Sequence, residues 1–314
     1  MNPTWQDFLT SQSISNTASH NALYGISHLS ILKISGTDAA DFLQGQLTCN
    51  TKELNAKNSF FAGFCNAKGR VISTFLILKH NEDFLLILPS VLLEKVKNKL
   101  KMYVLRSKVQ LQEASAELCL TGLRCTQEIA TDLSLPTINF ARNNQWIKLP
   151  NAHYLSVATI ADAMSEWTNL QNNAFQMQNA QDWQSLDMQG GLAWLDETSS
   201  EEYIPQMLNL DKLGGVSFTK GCYTGQEIVA RTHYLGKTKR ELFLAQLTAE
   251  ATFTNDNNVL DETGQMMGQI LSTFREADGY KILLVLQTNA VESAELQLNN
   301  AKHDKINLIP FVTV

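Results

Sequence analysis

The hydrophobic pattern of the chain changes once, near residue 235, and that change limits the folds that the chain can adopt. Before it, predicted hairpins alternate with single helices, which favours an antiparallel α+β region over a βαβ array. After residue 240, short apolar segments are separated by turn residues, which is typical of a small antiparallel β-barrel. We therefore predict an α+β fold with one region at 1–235, divisible into two subdomains, and a barrel domain at 236–314.

Individual elements follow from the period of the apolar residues. Amphipathic spacing with lysines on the opposite face predicts a helix over 91–104. Asn66 and Gly69 bracket a turn that joins strands over 60–65 and 70–78 into a hairpin. The remaining predictions are a helix over 38–47 and strands over 29–34, 84–88, 108–112, 242–247, 268–272, 280–286 and 294–298.

The composition is that of an ordinary globular protein and excludes several classes of function. Of 314 residues, 44% are apolar and 18% are charged, and a net charge of −6 gives no general attraction to nucleic acid. The polar start lacks an export leader, and no apolar stretch is long enough to span a membrane. The cysteines form no C-x-x-C pair, and no metal-ligand spacing is present, so we predict free thiols in a reducing cytoplasm. The five cysteines are Cys49, Cys65, Cys119, Cys125 and Cys222.

The stretch most informative about function runs from Lys220 to Glu227 and reads KGCYTGQE. Thr224 and Glu227 have the spacing of a capping box, and an apolar run follows at 228–230, so a helix is predicted to begin here. Cys222 would then lie just before a helix N-terminus and two residues after a cation, and both features lower the pKa of a thiol. An inert, buried cysteine is the alternative, and the polar and glycine-rich surroundings leave the two interpretations about equally favoured.

This stretch resembles the hallmark of the YgfZ family, the folate-binding branch related to the glycine-cleavage T-protein. Residues 36–48 are similar to the family's first helix, and 204–206 and 213–218 fit its approach to the hallmark. The resemblance implies a T-protein-like folate-binding region built from ferredoxin-like halves and followed by a small barrel. It also implies a protein that uses tetrahydrofolate while supporting the assembly or repair of iron–sulfur enzymes, through which it affects tRNA methylthiolation. The implied partners are folate, iron–sulfur proteins or their assembly machinery, and tRNA-modifying enzymes.

The resemblance also assigns residues to the folate site. Trp183 matches a tryptophan that the family uses there, and its indole face would stack on the ligand. The family's second folate-contacting aromatic falls near Leu29, so one stacking wall is missing or is supplied by another residue. Trp194 is a competing candidate for the stacking role. The loop residues expected to complete the cofactor site are Tyr223, Gln226 and Glu227.

Lys220 and Cys222 are the predicted chemically essential pair, with Cys222 as the reactive thiol and Lys220 as its electrostatic partner. The nearest histidine, His233, follows the cysteine by eleven residues. That spacing corresponds to about 16 Å along a continuous helix, so no Cys–His dyad is assigned. A single thiol cannot hold an iron–sulfur cluster by itself, so any contact with a cluster would be shared with a partner or transient.

Two alternatives stay open at this point. The relation to the T-protein suggests a tetrahydrofolate-dependent aminomethyl- or methyltransferase, whose reaction uses a carboxylate. Asp187, Asp196 and Glu197 are available, but acids at these spacings are usually solvated surface groups. The other alternative is a non-catalytic scaffold that senses folate.

Residues 220–240 form a local basic cluster on an acidic protein. It is either a solvated, charged helix face or a surface for RNA, for an acidic partner or for the glutamate tail of folate. Against the one acid, Glu227, the cluster contains Lys220, Arg231, Lys237, Lys239 and Arg240.

Overall fold

The segment before residue 235 folds into two five-stranded sheets, and the strands after residue 240 form a third sheet of six strands. The computed structural model describes residues 2–15, 19–143, 145–236, 238–253, 256–288 and 295–312. Lys237 of the basic cluster and Ala294, the start of the last predicted strand, lie outside these ranges. The α-helices within them are α1 (Pro3–Thr10), α2 (Ala39–Gln44), α3 (Leu93–Val104), α4 (Gln127–Asp132), α5 (Ile160–Asn172), α6 (Ala180–Gln189) and α7 (Gln226–Leu235).

The first sheet joins strands that are far apart in the sequence. Its strands are β1 (Ala22–Gly25), β7 (Leu118–Arg124), β8 (Trp146–Leu149), β9 (His153–Thr159) and β10 (Gln176–Met177). Their order is β10-β1-β7-β9-β8, and only the pairing of β1 with β10 is parallel. Trp5 of α1 and Trp167 of α5 meet edge to face in the core beside this sheet, with 5.8 Å between ring centroids.

The second sheet is antiparallel throughout and confirms the predicted hairpin. Its strands are β2 (Leu29–Ser35), β3 (Ser59–Cys65), β4 (Val71–His80), β5 (Asp83–Pro89) and β6 (Gln110–Glu113). Their order is β3-β4-β5-β2-β6, which leaves β6 at one edge. Residues 71–78 of β4 are all buried, so both faces of the sheet centre are covered. The helix predicted over 38–47 forms as the shorter α2, which ends at Gln44 with Gly45 as its C-cap.

The third sheet curls around an apolar core of its own and also contributes to the main core. Its strands are β11 (Arg240–Thr248), β12 (Asn258–Leu260), β13 (Met266–Glu276), β14 (Gly279–Gln287), β15 (Gln297–Leu298) and β16 (Asn307–Ile309), in the order β15-β12-β13-β14-β11-β16. Because side chains alternate along a strand, Leu242 and Leu283 face the main core while Ala245 and Ile282 face the sheet's own core. The predicted change to short antiparallel strands is therefore confirmed, whereas the domain division at 235/236 stays a prediction.

Within the described ranges, no helix combines the length and the apolar character needed to cross a membrane.

Candidate functional site

Lys220 attaches the loop of residues 220–225, which we call the hallmark loop, to a distant part of the chain. Its ammonium donates hydrogen bonds to the backbone carbonyl oxygens of Gln44, Leu47 and Cys49, at 2.7, 2.6 and 2.8 Å. Gln44 is the last residue of α2, and the final carbonyls of a helix lack internal partners and carry the negative end of its dipole. An ammonium matches this set because it has three N–H donors and no acceptor. We call this arrangement, Lys220 with the three carbonyls, the lysine clamp.

The lysine clamp is half-buried, and burial changes its acid–base chemistry. Loss of solvation lowers the pKa of Lys220 to about 8, from an ordinary value of 10.5, although the neighbouring Cys49 opposes this shift. The ammonium also lies 4.8 Å from the centroid of the Tyr223 ring, within the range of a cation–π interaction. Tyr223 is buried in turn, and burial raises the pKa of its phenol well above the ordinary range. Lys220 and Tyr223 therefore act together to hold the loop.

Cys222 is the one exposed cysteine of the chain, and all five cysteines lie in the described ranges. The other four are buried, and loss of solvation raises the pKa of Cys49, Cys65 and Cys119 to about 12 and that of Cys125 to about 11. The fold thus presents a single thiol to solvent. The contacts described for the Lys220 ammonium are with carbonyl oxygens and the Tyr223 ring, so its electrostatic role toward the Cys222 thiol stays a prediction.

The capping box predicted after the thiol is wrong. Helix α7 begins at Gln226, and its N-cap is Gly225, which makes no side-chain capping bond. Gly225 has a φ of 82°, and a Cβ at this position would lie 2.4 Å from the carbonyl oxygen of Asn66 in the hairpin turn. A capping serine or threonine requires extended backbone at the N-cap, which this close approach of two backbones does not allow. Thr224 instead donates from its hydroxyl to Oε1 of Gln46 at 3.4 Å.

The first turn of α7 contains the remaining predicted loop residues. Gln226 is half-buried, whereas Glu227 is exposed and places a carboxylate where the helix dipole favours an anion. Contact of Gln226, Glu227 or Tyr223 with a cofactor stays a prediction.

The exposed side of α7 carries aromatic and basic groups. The His233 ring stacks on Phe218 at a centroid distance of 3.7 Å, and Tyr234 is 63% exposed beside them. Arg231 and Lys239 are exposed members of the basic cluster. The structure does not distinguish between the alternatives given for the basic cluster, which are a solvated helix face and a surface for RNA, an acidic partner or the glutamate tail of folate.

Trp183 lies in the core and has no free face in this structure. It is fully buried in α6, where its ring contacts Tyr24 and His153 at centroid distances of 5.6 and 4.6 Å. The absence of a side chain at Gly122 makes room for it, because a Cβ there would lie 2.4 Å from Cζ3 of the indole. Leu29 is also buried, in β2. A ligand could stack on Trp183 only if its neighbours moved, and the stacking role stays a prediction.

The expectation that Asp187 is a solvated surface acid is wrong. Its carboxylate is 1% exposed, and its two oxygens lie 2.8 Å from Nε2 of His153 and 2.8 Å from Nε1 of Trp194. Burial lowers the pKa of the nearby His28, whereas the charge of Asp187 acts in the opposite direction. The sequence did contain one signal, since Asp187 follows Trp183 by four residues and so shares its buried helix face.

A cleft of about 470 Å³ lies where the first sheet and α6 meet the third sheet, a size typical of small-molecule sites. Its cations are Arg124, Arg275 and Lys281, but Lys281 already pairs with Glu276 at 2.6 Å. Burial raises the pKa of Tyr24 to about 12, and its phenolic hydroxyl can donate or accept a hydrogen bond. The remaining lining residues include Ser19, Gln178, Asp182, Ser185, Gln189 and Phe274. The cleft thus combines polar groups and cations beside the helix of Trp183.

Among the described residues, no group of three or more histidine, cysteine or acidic side chains is arranged to hold a metal ion.

Comparison with known proteins identifies relatives over most of the chain. The family model of the GCVT N-terminal domain matches residues 3–129. The tRNA-modifying protein YgfZ of Klebsiella pneumoniae is 30% identical over 272 residues, which cover 82% of this chain and 83% of that protein. The YgfZ proteins of Vibrio atlanticus and Aliivibrio fischeri are 30% and 31% identical, over 91% and 88% of this chain and 90% and 89% of their own lengths.

A solved structure supports the fold class. The glycine cleavage system aminomethyltransferase T from Bartonella henselae matches with a TM-score of 0.70, covering 98% of this chain and 88% of that chain at 16% identity. At this identity the likeness shows the fold alone. The predicted fold class, an α+β T-protein-like region followed by a small antiparallel β-barrel, is confirmed, and the strands of the barrel region form a curled six-stranded antiparallel sheet.

The burial of four cysteines predicts selective chemistry at the fifth. Brief treatment of the native protein with iodoacetamide at pH 8 should add one group, at Cys222, because the other thiols are both buried and protonated at that pH. Intact-mass measurement gives the number of groups added, and peptide mapping gives the position. Unfolded protein should accept five, and native Cys222→Ser should accept none. Labelling of native Cys222→Ser, or of more than one native thiol, would contradict the structure.

Proposed function

The chain belongs to the YgfZ family, and from that premise we propose that it binds tetrahydrofolate and supports the assembly or repair of iron–sulfur enzymes. Through those enzymes it affects tRNA modification, including methylthiolation, in the cytoplasm. The name of the curated relatives, tRNA-modifying protein YgfZ, supports the last step, and the match to the GCVT N-terminal domain supports the link to folate. The iron–sulfur proteins are clients of this chain, and their clusters are cargo.

The observation that carries the proposal is the presentation of Cys222. The hallmark loop exposes this one thiol while the fold buries the other four, and the lysine clamp holds the loop in place. An exposed thiol is accessible to a large partner, whereas a buried one is not. Because a single thiol supplies only one ligand, it suits transient contact with a client better than storage of a cluster.

Folate requires polar groups for its pterin edge and cations for its carboxylates. The cleft between α6 and the third sheet offers both, since Tyr24 and Gln189 supply hydrogen-bonding groups and Arg124 supplies charge. The residues present therefore fit the chemistry of folate. Arg124 has no ion-pair partner among the described side chains, which leaves its guanidinium available for a carboxylate. Tyr24 also contacts Trp183, so the cleft borders the tryptophan that the family resemblance assigns to folate.

The alternative function is transfer of an aminomethyl or methyl carbon to or from tetrahydrofolate, which the T-protein-like fold suggests. The three candidate carboxylates do not favour it. Asp187 is buried with both oxygens occupied, and Glu197 is exposed. Burial opposes ionisation of Asp196, but hydrogen bonds from Ser199 and Thr198 outweigh it and lower the pKa of the carboxyl. Formation of methylene-tetrahydrofolate from an aminomethylated carrier by the purified protein would support the transferase instead.

The folate site can be tested by replacing residues of the cleft. Tetrahydrofolate titrated into Arg124→Gln should bind about tenfold more weakly than into the wild type, because a charge-assisted hydrogen bond is lost. Isothermal titration calorimetry gives the dissociation constants. Trp183→Phe tests whether the tryptophan contributes to tetrahydrofolate affinity, and it disturbs the core less than alanine would. Lys302→Gln is the control variant, at an exposed position. Wild-type affinity in Arg124→Gln would exclude the cleft, and absence of binding to the wild type would remove folate from the proposed function.

The role of the thiol is tested in cells that lack the native protein. Expression of Cys222→Ala should lower the activity of iron–sulfur enzymes and the methylthiolation of tRNA by about tenfold or more relative to wild type, because the reacting sulfur is gone. Enzyme assays and mass spectrometry of tRNA nucleosides measure the two outputs. Thr219→Ala changes an exposed neighbour in the same loop and should rescue fully. Full rescue by a Cys222→Ser, Lys220→Ala double variant that still binds folate would instead support a non-catalytic scaffold.

A further inference from the structure

The C-terminal end of α3 carries a concentration of positive charge that the proposed function does not use. Residues 90–108 contain six basic side chains against one acid, Glu94, on a chain whose net charge is −6. Lys95 and Lys99 both pair with Glu201 at 3.2 Å, and Lys97 pairs with Glu94 at 3.2 Å. The remaining cations are Lys101, Arg106 and Lys108, which form no ion pair with any side chain in the described part of the chain.

Large apolar side chains are exposed among these cations. Leu105 is 87% exposed, Met102 69% and Tyr103 39%. Leu105 follows the last residue of α3 with φ 45° and ψ −105°, a backbone conformation that is strained for a leucine. The fold therefore places a leucine in a strained and solvated position where glycine would be easier to accommodate. Contiguous exposed apolar groups of this kind mark interaction surfaces.

Two grooves flank Leu105 and give the surface a shape. The first has a volume of about 480 Å³, with an apolar floor that includes Val104, Val109 and Leu111 and with Lys97 and Lys101 at its rim. The second, of about 740 Å³, shares Leu105 with the first and is lined by Asp38, Tyr103, Leu105, Arg106 and Ser107. We call the two grooves and the side chains that line them the α3 surface.

The first groove borders the edge of the second sheet. Leu111 of the first groove belongs to edge strand β6, and Val109 directly precedes that strand. Among the described residues, β6 pairs with β2 alone. The outer backbone groups of β6 are therefore open to an additional strand. An extended peptide that binds an open sheet edge gains main-chain hydrogen bonds, and adjacent pockets receive its alternate side chains.

We propose that the α3 surface binds an acidic, extended segment of a partner protein whose apolar side chains enter the two grooves. The unpaired cations supply attraction to acidic residues, the grooves supply apolar burial, and β6 supplies a sheet edge. RNA fits less well, because the apolar floor offers nothing to phosphate and, among the described residues, Tyr103 is the only aromatic one that lines either groove. A bilayer also fits less well, because the apolar face of α3 is already buried through Leu93, Val96 and Leu100.

The middle of α3, one to two turns before the α3 surface, is joined to the hallmark loop by a short series of contacts. Glu201, which pairs with Lys95 and Lys99, accepts a hydrogen bond from Nδ2 of Asn66 at 2.8 Å through its other oxygen. The backbone of Asn66 lies directly against Gly225, the N-cap of α7. A partner held on α3 is thus connected, through Glu201 and the hairpin turn, to the loop that presents Cys222.

Binding can be measured with defined probes by fluorescence anisotropy on the full chain. The probe is a short fluorescein-labelled peptide in which glutamate and leucine alternate, compared with the same peptide carrying glutamine for glutamate. The acidic peptide should bind more tightly, and its affinity should fall with added salt. Lys101→Glu combined with Arg106→Glu should weaken binding about tenfold. Leu105→Gly should also weaken it about tenfold without lowering the melting temperature, because glycine relieves the strained φ.

The control variant combines Lys57→Glu with Lys302→Glu, which make the same charge change at exposed lysines elsewhere and should leave the affinity unchanged. Equal binding of the acidic and glutamine peptides, or an acidic peptide that binds both α3 variants as tightly as the wild type, would overturn the proposal. Single-stranded RNA and phosphatidylglycerol vesicles are tested in parallel. Tighter binding of either one, lost in the same variants, would assign the surface to that ligand and also overturn the proposal.

Discussion

The hydrogen bonds from one ammonium to three carbonyl oxygens determine how this protein presents its thiol. Lys220 is separated in sequence from Gln44, Leu47 and Cys49 by more than 170 residues, yet it satisfies carbonyls at the end of α2 and in the turn after it. Among the described residues, the backbone hydrogen bonds outside regular helices and strands include no other bond to these carbonyls, and an unmade hydrogen bond at a buried position costs about 1–3 kcal/mol. The loop that contains Cys222 is therefore held by the segment that connects β2 to β3 of the second sheet.

Because Lys220 holds the loop, the Cys222 side chain is not needed to keep the loop in place. The clamp, the Tyr223 ring below it and the close approach of Gly225 to the hairpin turn fix the backbone on both sides of the cysteine. None of these contacts requires the thiol, which can remain exposed while the other cysteines are packed in the core. The same hairpin turn connects through Glu201 to Lys95 and Lys99, so a short series of contacts joins the hallmark loop to α3.

The features that depend on local sequence were predictable, and those that depend on distant contacts were not. The hairpin around Asn66, the helix near 91–104 and the short strands after 240 follow from hydrophobic period and turn residues. The capping box failed because the hairpin turn, more than 150 residues earlier in the sequence, fixes the backbone at Gly225. The burial of Asp187 depends on His153 in β9 and on Trp194, two partners that no local pattern reveals.

The most direct test of this account is hydrogen–deuterium exchange of Lys220→Met, which keeps an apolar side chain of similar length and removes the three donors. Amides of residues 44–50 and 218–225 should exchange faster, and stability should fall by about 2 kcal/mol, because hydrogen bonds from a charged group are lost. The exposed control Lys239→Met should exchange like the wild type. Unchanged exchange in both segments of Lys220→Met would contradict the claim that the lysine clamp holds the loop of Cys222.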